Sequence, residues 1–202
     1  MDNCIGDAWS RSVLDMRVPR IALLPLLAVT LSGCDGGSVP MPPSPSATPA
    51  VSAPAWSDEE ALEVATTVFK RYLEISNQIY NEGGAKPERI DVIASKTVAA
   101  RDHAGFAEVS ESTRTLLGKV ELVKTTLQSR LLEPDETGSL AAVYACVDLR
   151  GTDVLDTTGV SIVSPDRPNT RTWEVGIGLG AAGQDEYIVT HKEVWSESAE
   201  CE

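Results

Sequence analysis

The spacing of apolar residues divides the chain into two patterns. Between residues 57 and 117 they recur every three or four positions, as in amphipathic helices, and over 120–195 they mostly alternate, as in strands. Ser57 and Glu60 form a capping box at the start of the first predicted helix. The glycine pair at 83–84 ends that helix, because glycine readily adopts the left-handed backbone of a helix C-terminus.

Two more helices and a series of strands complete the predicted elements. Pro87 begins a short helix, and a longer one covers 96–117, with a weak point at Gly105 where a break is expected. The alternating runs predict strands over 120–132, 140–149, 160–163, 173–179 and 187–195. Helices followed by an antiparallel meander indicate an α+β fold, with N-terminal helices packed on a curved antiparallel sheet.

Three local features accompany this order of elements: Arg71-Tyr72 in the first helix, Cys146-Val147-Asp148 in a strand, and Cys201 near the end. Together they resemble the NTF2-like superfamily, cone-shaped α+β domains whose curved sheet wraps around a helix and leaves a pocket. A set of bacterial lipoproteins of unknown function is similar across residues 58–202. A cystatin-like fold, one helix on a sheet, is the alternative.

Residues 1–33 have the pattern of an export signal. Arg17 and Arg20 precede an apolar run at 21–30, which is too short for a bilayer span of about 20 residues. Acidic residues before Met16 do not suit such a signal, so translation is predicted to start at Met16 and to leave out Cys4.

The signal ends at Leu31-Ser32-Gly33-Cys34. This run resembles the lipobox of bacterial lipoproteins, in which the signal is cut before a cysteine that carries two acyl chains. Two chains anchor a protein stably where one does not. Cys34 is therefore the predicted lipidation site, and the protein is predicted at the cell membrane, facing outside the cytoplasm. An ordinary cleaved signal with an incidental cysteine is the alternative.

Residues 34–55 are predicted to form a disordered or polyproline-like tether, since six prolines among Ser, Ala and Gly cannot build a core. Residues 56–202 then have the length of a single α+β domain. The net charge of −13 argues against a nucleic-acid partner, which needs a basic surface. Acidity of this kind mostly serves solubility and identifies no partner.

Cys146 and Cys201 remain after the anchor, and an even pair in an exported domain predicts one disulfide. A metal pair or a reactive thiol is the alternative, but neither cysteine has a nearby His or Cys in sequence. The three acidic residues over 148–156 also lack the spacing of a calcium loop. No metal or other cofactor is therefore predicted.

A G-x-G-x-x-G match at 178–183 is followed by a strand pattern rather than a helix, which predicts a hairpin loop and no dinucleotide site. For a pocket in the cone, the candidate residues are Tyr144, Asp148 and His191. Asp148 continues the Tyr144 face of its strand and needs a partner such as Arg150, Arg171 or a helix residue. His191 shares a face of the last strand with Tyr187 and Val189 at alternate positions, and this face is expected to line the pocket.

Enzymes of the resembled superfamily, such as ketosteroid isomerase, use an Asp or His base with a Tyr donor. No motif of theirs matches this sequence residue by residue, and structural roles are the commoner explanation for such residues. The main hypothesis is a lipid-anchored envelope domain that binds a protein or small ligand without catalysis. The alternative is a pocket enzyme of isomerase, dehydratase or hydrolase type.

Overall fold

The computed structural model describes residues 55–180, 186–196 and 201. The predicted signal, Cys34 and nearly all of the tether lie outside the described residues. The described elements, in chain order, are α1 (Asp58–Asn81), a 3-10 helix (Pro87–Val92), α2 (Lys96–Glu111), β1 (Thr115–Gly118), β2 (Glu121–Arg130), β3 (Ala141–Asp148), β4 (Thr152–Leu155), β5 (Thr170–Leu179) and β6 (Tyr187–Val194).

The predicted α+β class is confirmed. Strands β2, β3, β5 and β6 form an antiparallel sheet in that order, and β1 pairs with β4 in a separate two-stranded sheet. Helix α1 contacts all four strands of the larger sheet, and α2 packs against β6. None of the described helices is both long and apolar enough to cross a membrane.

Helix α1 begins where the sequence predicts. The Ser57 side chain accepts a hydrogen bond from the Glu60 amide, and the Glu60 carboxylate accepts one from the Ser57 amide. Three acidic residues in the first turn lie near the positive end of the helix dipole. The helix ends at Asn81, and Gly83 and Gly84 follow with φ values of +70° and +80°.

The third predicted helix is six residues too long. Helix α2 ends at Glu111, and residues 115–118 form β1 instead. Ser112 leaves the helix with extended backbone, and its hydroxyl donates to the Val109 carbonyl and accepts from the Arg114 amide. This local bonding replaces the next helical turn. The expected break at Gly105 does not occur, because α2 is continuous through it.

Strand β4 is absent from the sequence prediction, although it pairs with β1 over four residues. The predicted strand at 160–163 is reduced to one bridge, between Leu155 and Ser161. Arg167 fixes this region, since its guanidinium donates to the Leu149 and Thr152 carbonyls. Strand β4 thus begins beside a side-chain contact from Arg167 and shows no alternating apolar pattern from which it could be predicted.

The inner face of the larger sheet packs on the helices and includes Val143, Val147, Val175 and Ile177, all fully buried. Strand β3 is central, as predicted, and pairs with β2 on one side and β5 on the other. Strands β5 and β6 pair as a hairpin around the glycine-rich segment, so no helix follows the G-x-G-x-x-G match. Residues 181–185 of that segment lie outside the described part.

Candidate functional site

Three polar side chains meet in the interior, between the helices and the sheet. Lys192 on β6 donates from Nζ to Asp102 Oδ1 on α2 at 2.7 Å, and also to the Tyr72 hydroxyl on α1. Tyr72 in turn donates to Asp102 Oδ2 at 2.8 Å. The side chains of Lys192 and Asp102 are only 6% and 3% exposed. We call these three residues the buried polar cluster.

Two aromatic rings complete the surroundings of the ammonium group. Lys192 Nζ lies 4.6 Å from the ring centroid of Tyr72 and 4.7 Å from that of Trp173. Such cation–π contacts partly replace the water that a buried ammonium loses. The charge of Lys192 is therefore balanced by one carboxylate and surrounded by a hydroxyl and two ring faces.

Burial dominates the electrostatics of the cluster. Desolvation lowers the pKa of Lys192, although the nearby Asp102 carboxylate acts in the opposite direction. Burial, followed by the charge of Asp102, raises the pKa of Tyr72 well above its usual range. The same two causes raise the pKa of Tyr80 to about 12. Chemically, a lysine with a lowered pKa beside a tyrosine hydroxyl has the elements of a proton relay.

The sequence pattern did not reveal this cluster, because β6 does not alternate regularly. Val189 pairs with Ile177 and His191 pairs with Gly176, so Thr190 is an extra residue that forms a bulge. Beyond the bulge, Lys192 lies opposite Val175 on the inner face. One signal was present in the sequence: Asp102 lies on the apolar face predicted for its helix.

The predicted residues Tyr144 and His191 lie on the other face of the sheet, which we call the outer face. Tyr144 pairs with Glu174, and its ring lies 5.0 Å from that of Trp195. His191 lies beside Gly176, and a Cβ added at that glycine would approach the His191 Cβ to 3.0 Å. Because β5 separates their strands and their partners on β5 are two residues apart, the backbones of Tyr144 and His191 are more than about 10 Å apart.

Asp148 lies at the end of β3 and makes an ion pair with Arg150, one of its predicted partners. Arg150 Nε and Nη2 both donate to Asp148 Oδ2. These hydrogen bonds hold the pKa of Asp148 below its usual range. Asp148 lies four positions after Tyr144 along β3, so the structure does not bring the three predicted pocket residues into one site.

Asp148 instead lines a cavity beside the start of β2. Two adjoining cavities of about 260 Å³ each share Lys119 and Glu121. Asp148 and Gly151 complete the first, and the second extends along α1. We call the two together the Lys119 groove; its remaining lining residues are Lys70, Leu73, Glu74, Asn77, Val120 and Leu122. No member of the buried polar cluster lines either cavity.

One asparagine fixes the backbone of this groove. Asn77 Oδ1 accepts from the Val120 amide and Asn77 Nδ2 donates to the Val120 carbonyl, both at 2.9 Å. One turn later, Asn81 Nδ2 donates to the Gly118 carbonyl at 2.7 Å. Helix α1 therefore holds the segment that carries Lys119 and Glu121 through side-chain amides.

Cys146 and Cys201 lie at disulfide-bonding distance, with 5.4 Å between their Cα atoms. The pair closes a sequence separation of 55 residues and joins the end of the chain to the outer face. Among the described residues, no group of three or more His, Cys, Asp or Glu side chains is placed to hold a metal ion.

Comparison with known proteins yields little. No protein-family model matches the chain, and no curated protein shows a significant match. Among solved structures, the chain is similar to the intermembrane space region of the chloroplast protein ARC6, with a TM-score of 0.47 and 13% identity, over 66% of this chain and 95% of that one. Because both values are low, we draw nothing about function from this similarity.

Proposed function

We propose that this chain is a lipid-anchored protein of the cell envelope, attached through Cys34 and facing outside the cytoplasm, whose domain binds a protein or a small ligand. The observation that carries the proposal is the cysteine pair at disulfide distance. Disulfides form and persist in oxidising compartments, and an exported chain enters one. The lipobox-like run and the proline-rich segment at 35–55 supply an anchor and a spacer.

The distribution of charged side chains supports binding rather than catalysis. In the interior, Lys192, Asp102 and Tyr72 bond to one another, so their bonding capacity is largely used within the protein. At the surface, by contrast, four charged side chains without described partners line the Lys119 groove: Lys70, Glu74, Lys119 and Glu121. An NTF2-like or cystatin-like relationship is part of the proposal and is supported by the helices packed on one face of an antiparallel sheet.

The anchor is tested by labelling expressing cells with a fatty-acid analogue and fractionating their membranes. The wild-type protein should carry the label and sediment with membranes, whereas Cys34→Ala should be unlabelled. Cys4→Ala is the matched control, since Cys4 precedes the predicted start at Met16, and it should behave as wild type. A label that survives Cys34→Ala, or that is absent from the wild-type protein, would refute the anchor.

One observation favours the alternative, a pocket enzyme. The buried polar cluster places a lysine of lowered pKa beside a hydroxyl and a carboxylate, as general acid–base catalysis requires. An enzyme must admit its substrate to this lysine. Amine labelling of the folded protein, mapped by mass spectrometry, separates the two functions: Lys192 should react more slowly than exposed Lys96 in a binding protein, and faster if it is an accessible catalytic amine.

A further inference from the structure

We propose that the Lys119 groove binds a small zwitterion, a molecule that carries an ammonium group and a carboxylate or phosphate a few bonds apart. The inference rests on the proposed binding function and assigns it a site and a ligand class. Its basis is a cavity lined by charges of both signs that the described part of the protein leaves without partners.

Four charged side chains line the second cavity: Lys70 and Glu74 on α1, and Lys119 and Glu121 before and within β2. None of the four side chains makes a hydrogen bond or ion pair with another described residue, although the neighbouring Asn77 makes two. The second cavity is therefore electrically balanced in a protein of net charge −13. Balanced, unpaired charges favour a ligand that also carries both signs.

The ammonium end of the ligand belongs beside Glu121. This residue lies directly opposite Asp148 in the β2–β3 pair, and like charges in that position repel. Arg150 offsets only Asp148, with which it is paired. A ligand ammonium in the first cavity would offset Glu121, and Gly151 leaves room for it because no side chain projects there.

The anionic end belongs between Lys70 and Lys119, which line the second cavity together. Leu73 and Leu122 add an apolar wall to the same cavity and can contact an aliphatic side chain. A volume of about 260 Å³ for each cavity suits a molecule smaller than a drug-sized ligand. A free amino acid has these properties, and the ethanolamine phosphate head of a lipid shares its charge pattern.

The test is a titration of the isotope-labelled full chain, followed through the backbone amide NMR signals of residues 119–121 and 151. L-leucine and phosphoethanolamine are the zwitterionic probes, and their relative affinity distinguishes an amino acid from a lipid head group. Isocaproate is leucine without its amine, and isoamylamine is leucine without its carboxylate. At least one zwitterion should give saturable shifts, and both single-charge analogues should bind at least about tenfold more weakly than leucine if leucine is the ligand.

Two variants with different mechanisms locate the site. Glu121→Gln should weaken zwitterion binding at least about tenfold, whereas Glu136→Gln, an exposed carboxylate outside the groove, should not. Gly151→Leu should block the first cavity without straining the fold, since a Cβ at Gly151 meets only the Lys119 carbonyl oxygen at an ordinary 3.5 Å.

The proposal is overturned if neither zwitterion gives saturable shifts at millimolar concentration, if a single-charge analogue binds as tightly as its zwitterion, or if Glu121→Gln keeps wild-type affinity. None of these results would affect fatty-acid labelling at Cys34. Loss of that label with intact zwitterion binding would instead refute the anchor and retain the groove, so the two failures are distinguishable.

Discussion

Replacing Lys192 with methionine tests the buried polar cluster most directly. Methionine keeps most of the length and the apolar stem of lysine but removes its ammonium group. The Asp102 carboxylate, 3% exposed, would then keep only the hydrogen bond from Tyr72. The variant therefore leaves a buried charge without its counter-charge, while the apolar packing around the stem is largely retained.

The expected loss is large. Breaking a buried ion pair by removing one partner costs about 3–5 kcal/mol. For a domain of roughly 150 residues, each kcal/mol lowers the melting temperature by about 2–4 °C, so Lys192→Met should lower it by about 6–20 °C. Replacing both partners with apolar residues, as Lys192→Met with Asp102→Leu, should restore much of this loss because no unpaired charge remains.

Urea and thermal unfolding at neutral pH measure Lys192→Met, Asp102→Leu and the double variant, and the double-mutant cycle gives the coupling free energy. Lys96→Met is the matched control: Lys96 is exposed at the start of α2, and its replacement should change stability by no more than about 0.5 kcal/mol. If Lys192→Met stays within about 1 kcal/mol of the wild type, or if the double variant is the least stable of the three, the cluster does not act as a buried ion pair.

Asp102→Asn adds a test in which the direction of the change in stability with pH is predicted. Asp102 opposes the desolvation that lowers the pKa of Lys192, so removing its charge should lower that pKa further. Between the lowered pKa and the ordinary lysine value of 10.5, the unfolded state then binds more protons than the folded state. The free energy of unfolding of the variant should therefore rise with pH in this window. Its difference from the wild type should rise between the Lys192 pKa of the variant and the higher Lys192 pKa of the wild type, and level off above that. A difference that is flat or falls with pH between these two pKa values would contradict the assignment.

Three further predictions concern other parts of the fold. Burial raises the pKa of Tyr80 from 10.0 to about 12, so its contribution to stability should be complete below pH 10.0 and be lost as the pH rises through about 12, which phenolate absorbance can follow. Cys201→Ser should lower the free energy of unfolding by about 2–5 kcal/mol if the bond to Cys146 forms, and an unchanged urea midpoint would count against the bond. Gly118→Ala should cost at least about 2 kcal/mol, because φ is +86° and the new Cβ would lie 1.7 Å from the Gly151 carbonyl oxygen, whereas Gly151→Ala should be nearly neutral in the same unfolding assay.

Local signals made the main elements predictable. The start of α1 depends on a reciprocal cap between residues three apart, and β3 shows its central position in two apolar faces. The end of α2 was not predictable in the same way, because the helical pattern continues to residue 117. There the pairing of β1 with β4, which lies more than thirty residues further along the chain, outweighs local preference. Pairing between distant segments is absent from any short window of sequence.

The buried polar cluster was missed for a related reason. Regular alternation from Val189 places His191 on the inner face, and a single bulge at Thr190 places Lys192 there instead. A shift of one residue exchanges the two faces of a strand, so every pocket residue assigned beyond the bulge changes side. For Asp148 the sequence predicted the need for a partner, because a carboxylate continues a mostly apolar strand, but it left Arg150, Arg171 and a helix residue as candidates; the structure selects Arg150.

The same bulge bears on the choice between binding and catalysis. A catalytic amine needs a free electron pair and a path for substrate, whereas Lys192 donates to two oxygens, contacts two aromatic rings and has a side chain that is 6% exposed. Its three partners come from α1, α2 and β5, so the ammonium connects every layer that packs on β6. Opening this arrangement to a substrate would break the contacts that hold both helices to the sheet. The Lys119 groove can bind a ligand without that rearrangement, because its charged side chains already face a cavity and Asn77 already fixes its backbone.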